Sequence, residues 1–101
     1  MKNIITINMD TESFPYPIIA ITKRKETEYF VVHKLNKKYM IADMSTGKLI
    51  EGSTDLDITV RDFVKSKDSE ILSEYKTNGW LYSRIDVYKP DSVETIEHRH
   101  Y

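Results

Sequence analysis

Residues 26–52 read ETEYFVVHKLNKKYMIADMSTGKLIEG, and their alternation decides the fold class. Tyr29, Val31, His33 and Leu35 fall on one side of an extended chain, and Phe30, Val32 and Lys34 on the other. Asn36-Lys37-Lys38 is a polar break between apolar runs, suited to a short reversal. Tyr39, Ile41 and Asp43 then oppose Met40, Ala42 and Met44. Ser45-Thr46-Gly47-Lys48 is a second turn, whose glycine is free to take positive φ. Leu49-Ile50-Glu51 returns as a short strand. β-branched and aromatic side chains dominate the run, as a pleated, half-buried surface favours. The stretch reads as two or three antiparallel strands joined by tight turns.

Upstream, Lys2 to Met9 alternates weakly and reads as an N-terminal strand. Asp10 to Ser13 is loop. Phe14-Pro15-Tyr16-Pro17 must be extended, because each proline fixes its own φ and restricts the residue before it. It reads as a stiff entry to the next strand, in preference to a proline-rich docking motif. Ile18 to Thr22 is a short apolar strand. Lys23-Arg24-Lys25-Glu26-Thr27 is a charged turn leading into the strands above.

Downstream, the period changes. Val60, Val64, Ile71 and Tyr75 share one helix face, with Phe63 and Leu72 flanking it. Asp57 or Thr59 can cap its start, and Thr59-Val60-Arg61-Asp62 approximates a capping box. Lys67 interrupts the apolar stripe, with Asp68 at its edge. Either Lys67 lays its stem on the core and turns its amine outward, or the helix breaks near Ser66 and restarts under an Asp68 or Ser69 cap. The pattern leans towards the break. Asn78-Gly79 ends the helix, with Gly79 at the left-handed C′ position and Trp80 set to contact Tyr75.

Trp80 to Tyr88 alternates clearly. Leu81, Ile85 and Val87 point to a core, with Ser83 as the exception. Trp80, Tyr82, Arg84, Asp86 and Tyr88 take the opposite face. Pro90 ends the strand. Residues 91–101 are polar and form either a short final strand or a mobile tail. The architecture expected is α+β in a single domain. It is a mainly antiparallel sheet of five or six strands, with one helix, continuous or broken near Ser66, between the central strands and the Trp80–Tyr88 strand.

A chain of 101 residues with no cysteine can hold one core without staples. Disulfides, cysteine-based zinc sites and cysteine nucleophiles are excluded. No run has the length of a transmembrane helix, and the N-terminus lacks a signal-peptide pattern. A cytoplasmic protein with no membrane partner is the expectation. Lys, Ile, Asn and Tyr are frequent, which suggests an A/T-rich genome such as that of a Gram-positive bacterium or its phages.

The net charge of −1 argues against simple polyanion binding. Its distribution is uneven. From Lys23 to Lys48 basic residues outnumber acidic ones seven to three, and from Leu49 to Tyr75 the ratio is inverted. Complementary charge within one fold is the favoured reading, over a two-signed partner surface.

Candidate chemistry is sparse. His98 and His100, with Glu94, Glu97 and in principle His33, have metal-ligating side chains. Their terminal position and the intervening Arg99 favour a solvated tail, so no metal or cofactor is expected. The glycines Gly47, Gly52 and Gly79 build no phosphate loop, nucleotide fingerprint or nucleophile elbow. Asp55 and Asp57 read as turn and cap, so no catalytic residue is assigned.

The face of Trp80, Tyr82, Arg84 and Tyr88 has three readings. The first puts these aromatics in the core beneath the helix, and it is preferred. The second is a protein-partner surface, since Tyr, Trp and Arg dominate interface hot spots; Lys34, Lys37 and Lys38 would join it. The third is stacking on single-stranded nucleic acid with help from the basic strands. The near-neutral charge ranks that below a protein partner. Phosphate mimicry by Asp55, Asp57, Asp62, Asp68, Glu70 and Glu74 is weaker still.

The functional expectation is a small non-enzymatic module that occludes a partner protein's surface. A phage or mobile-element accessory protein inhibiting a host defence system fits that description. The alternative is a nucleic-acid-binding module using the basic hairpin and the aromatic face. The oligomeric state stays open between monomer and homodimer.

Overall fold

A computed structural model describes residues 15–79 and 81–100, with the backbone only of Leu81 and His100. The strand expected over Lys2–Met9 and the expected contact of Trp80 with Tyr75 lie outside the described residues.

The elements are β1 (Ile18–Lys23), β2 (Glu26–Leu35), β3 (Lys38–Asp43), β4 (Leu49–Glu51), a helix α1 (Leu56–Asn78), β5 (Leu81–Lys89) and β6 (Ser92–His100). They form an α+β fold: one helix on an antiparallel sheet of order β4-β3-β2-β1-β5-β6. The first four strands are a meander. The helix then carries the chain back from the β4 edge and delivers β5 beside β1. Twenty-three residues of helix span about 34 Å, enough to cross the sheet. β1 is thus central, pairing with β2 and β5. Its Ile18-Ile19-Ala20-Ile21 run is buried on both faces, which is why it is continuously apolar.

The turns follow local chemistry. Asn36 takes φ 60 and Gly47 φ 77, as a tight reversal requires. The β1–β2 turn is shorter than expected: only Arg24 and Lys25 lie outside the strands, with Arg24 at φ 57.

The core sits between α1 and one sheet face. Val60, Phe63, Val64 and Ile71 of the helix meet Ile19, Ile21, Phe30, Val32, Ile41, Ile85 and Val87. Ser83 joins that face fully buried, and its hydroxyl has no hydrogen-bond partner among the described residues.

Three local expectations are corrected. The helix does not break near Ser66. Lys67 is half-buried and sets its amine 5.4 Å from the Phe30 ring centre and 5.6 Å from that of Phe63, with Glu70 at 4.0 Å. The aromatic faces accept the cation that the stripe would otherwise exclude.

The cap is Asp55, not Asp57 or Thr59. Its Oδ1 accepts from the Ile58 amide at 2.9 Å. Thr59 is buried instead, donating to the Asp55 carbonyl at 2.8 Å and accepting from the Ser53 amide at 2.9 Å. Replacing Asp55 with alanine is expected to cost about 1 kcal/mol. Urea denaturation checks this, and the same change at the exposed Asp57 should cost less.

Finally, residues 92–100 form a long strand, paired with β5 from Lys89↔Ser92 to Leu81↔His100. Gly79 closes the helix as expected, at φ 86 with its amide donating to the Tyr75 carbonyl at 2.8 Å.

Candidate functional site

Because α1 lies on the Ile85 and Val87 face, alternation sends Tyr82, Arg84, Asp86 and Tyr88 to the other face. No described helix or strand covers it. The preferred expectation, that these aromatics are core beneath the helix, is corrected. Arg84 is exposed, and Tyr82 and Tyr88 are half-buried.

Register gives this face a simple order. One row crosses all six strands: Leu49, Ala42, Val31, Ile18, Tyr88 and Val93 stand side by side. Every member is apolar or aromatic. The ends are open, with Leu49 at 51% and Val93 at 54% exposure. Met40 and His33 flank the band on one side, and Tyr29 and Ala20 on the other. Burial raises the Tyr29 and Tyr88 phenols above their usual range, with the charge of Asp86 adding to the effect at Tyr88. Both therefore present neutral hydroxyls.

Beyond the band, β5 and β6 carry a polar network. Arg84 Nε donates to Asp86 Oδ2 at 2.8 Å, and Thr95 Oγ1 to Asp86 Oδ1 at 2.6 Å. Asp86 is nearly buried, so these two bonds satisfy a carboxylate that would be costly alone. Tyr82 donates to Glu97 Oε2 at 3.1 Å, and Arg99 Nη2 to the same oxygen at 3.3 Å. The Arg99 guanidinium lies 5.2 Å from the Tyr82 ring centre. Tyr82 and Arg84 are thus held in fixed orientations, as an interface anchor requires.

The hydrogen bonds from Arg99 and then Tyr82 hold Glu97 below the ordinary carboxylate range. A depressed folded-state value means its contribution is present above the unfolded value and is lost as pH falls through the folded one. Arg99→Ala is expected to move the Glu97 titration upward, read by side-chain carbonyl NMR. An unmoved titration would show that Arg99 is not the cause.

Of the expected lysines, Lys34 does not join this surface, and Lys37 and Lys38 stand at its far end from Arg84. Lys34 lies on the helix-side face, with its amine 5.5 Å from the Tyr39 ring. Lys37 is in the β2–β3 turn, and Lys38 pairs with Glu51 at 3.2 Å. Arg84 stands in the row of Thr22 and Thr27, whereas Lys38 pairs with Leu35. Thr27 and Leu35 are separated by about 26 Å of extended strand. Trp80 lies outside the described residues.

The metal reading gains no support. His98 Nε2 sits 2.7 Å from Asp68 Oδ1, tying β6 to α1. His33 is on the opposite face, so it cannot join His98. Among the described residues no group of three His, Cys, Asp or Glu side chains is placed to hold a metal ion. The acidic segment is partly spent inside the fold: Asp55 caps the helix, Asp68 holds His98, and Glu74 pairs with Lys23 at 3.2 Å. Two ion pairs, Lys23–Glu74 and Lys38–Glu51, join the basic stretch to the acidic one.

The apolar band was the feature that residue-by-residue reading missed. Its signal is the apolar content of both sides of the strands, Val31 and Ala42 against Val32 and Ile41. Register was needed to align it. Among the described residues, no helix is long and apolar enough to cross a membrane. Comparison with protein-family models, curated proteins and solved structures found no match.

Proposed function

We propose that this protein is a small non-enzymatic interaction module that occludes the surface of a partner protein, with the face turned away from α1 as its contact surface. The observation that carries the reading is the apolar row from Leu49 to Val93, bordered by the tethered Tyr82 and Arg84. Ile18 in the row is already buried, so contact falls to the open Leu49 and Val93 and the half-buried Val31, Ala42 and Tyr88, with the oriented Tyr and Arg side chains supplying specificity. The biological setting we propose is an accessory protein of a phage or mobile element that inhibits a host defence system.

Affinity capture from the host, followed by calorimetry with the purified captured protein, tests this. Leu49→Glu and Tyr88→Ala should each weaken binding at least about tenfold, and Lys76→Glu, on the exposed end of α1, should not. Equal binding by all variants overturns the assignment of the face. Turnover of any substrate class by the purified protein overturns the non-enzymatic reading. Plating efficiency of phages on cells expressing the chain tests the setting; no rise across a panel of defence systems removes it.

The nucleic-acid alternative has less behind it. Lys34, Lys37 and Lys38 stand far from the aromatic strand, Lys23 and Lys38 are engaged with Glu74 and Glu51, and Asp86 and Glu97 lie among the aromatics. Phosphate binding needs several unspent cations. Gel shifts with single- and double-stranded DNA and RNA are expected to show no complex even at low salt.

A further inference from the structure

Among the described residues, β6 is an edge strand with no strand on its outer flank. The Arg24 amide donates to the Tyr82 carbonyl at 3.1 Å, which sets the phase of β5. Tyr82 and every second residue after it turn their backbone groups towards β1. Ser83, Ile85 and Val87 therefore turn theirs towards β6, where their partners are His98, Ile96 and Glu94. It follows that Val93, Thr95, Glu97 and Arg99 direct their N–H and C=O groups outward.

A long, regular edge is a template for another strand, and proteins usually block it with a proline, a bulge or a short strand. β4, the other edge, is only three residues long. β6 has nine residues with neither proline nor glycine, and its ladder with β5 is continuous. At its middle, Ile96 is 39% exposed and borders a groove of about 460 Å³ whose apolar wall includes Val60, Val64 and Val87.

We propose that β6 pairs antiparallel with β6 of a second copy about a twofold axis at Ile96, joining two sheets into one. This inference is independent of the contact face proposed above. Side chains opposite each other in a ladder share a face, which restricts the registers available. With Ile96 at the axis, Ile96 meets its own copy, Glu94 faces His98 of the second copy, and Thr95 faces Glu97 of the second copy. Moving the axis to Glu97 sets two like carboxylates against each other. Moving it to Thr95 sets Ile96 against a glutamate. Cross-strand pairing energies favour the first arrangement, and it is the one that covers Ile96. The outward backbone groups of Thr95 and Glu97 then face those of the second copy.

Sedimentation equilibrium of the full chain tests the proposal. The apparent mass should rise with concentration from 11.9 kDa towards twice that value, and Ile96→Lys should hold it at the monomer. The chain has no cysteine, so Ile96→Cys gives an unambiguous cross-link. Residues facing each other at the axis have Cα atoms about 4.5 Å apart, within disulfide reach. Ile96→Cys should oxidise to a covalent dimer much faster than Leu35→Cys, a more exposed position on β2. The Thr95 and Glu97 amides should exchange more slowly as concentration rises. A wild-type monomer at near-millimolar concentration overturns the proposal, as does equal cross-linking of the two cysteine variants. Protection of those amides independent of concentration also overturns it, since another segment of the same chain would then occupy the edge.

Discussion

Replacing Phe30 with alanine lowers the free energy of unfolding by about 3–5 kcal/mol. Phe30 is 1% exposed and is one of the largest fully buried side chains. It stands on β2 between Ile19 of β1 and Asp43 of β3, and its ring lies 5.0 Å from that of Phe63 on α1. Removing the ring leaves a cavity at the contact between sheet and helix. It also takes away one of the two aromatic faces that receive the Lys67 amine. Domains of this size are stable by about 5–15 kcal/mol, so the variant loses roughly a fifth or more of its margin. Urea denaturation should show a lower midpoint at an unchanged slope. Phe30→Leu, which keeps most of the volume, should cost well under half as much. A loss below about 1 kcal/mol for the alanine variant would mean that Phe30 does not organise the core.

Gly52→Ala is expected to cost roughly 2–3 kcal/mol, although it adds a single methyl group. The reason is space, not φ. A Cβ at Gly52 would lie 2.7 Å from the Tyr39 carbonyl oxygen and would overlap the Thr59 methyl and hydroxyl groups. None of these can yield cheaply. The Tyr39 carbonyl accepts from the Gly52 amide at 2.8 Å, and the Tyr39 amide donates to the Ser53 carbonyl at 2.9 Å. Thr59 is held by the Ser53 amide and the Asp55 carbonyl. The close approach welds the exit of β4 to the first turn of α1. Gly47→Ala is the comparison. Gly47 has φ 77 and open space around it, so alanine there meets only the backbone cost of about 1 kcal/mol. Equal losses at the two glycines, or a stable Gly52→Ala, would contradict this account. Thr59→Ala in the Gly52→Ala background should recover part of the loss by removing the crowded methyl.

Much of the architecture was legible. The β2–β3–β4 meander is written in alternation and in Asn36 and Gly47. The helix end is written in Gly79, where only a residue tolerant of positive φ fits. The candidate surface was half legible: the period of β5 placed Tyr82, Arg84 and Tyr88 on one side, but not the side that faces solvent. The helix cap was missed because Asp55, Asp57 and Thr59 offer similar chemistry within five residues. Choosing among them depends on Thr59 being drawn into the packing against Gly52. The break at Ser66 was a fair reading of a charge in an apolar stripe. It failed because Phe30, distant in sequence, helps to shelter that charge.

Periodicity and turn preference are properties of neighbours along the chain, so the chain order settles which segments are strands, where the helix lies and where it stops. Partnership across the sheet is a different matter. That β5 docks beside β1, that α1 covers Ile85 and leaves Tyr88, and that Ser92–His100 becomes an ordered edge strand all depend on contacts between distant residues. The same holds for the apolar row from Leu49 to Val93. Its six residues are spread from Ile18 to Val93, and only the register of five strand pairs brings them side by side.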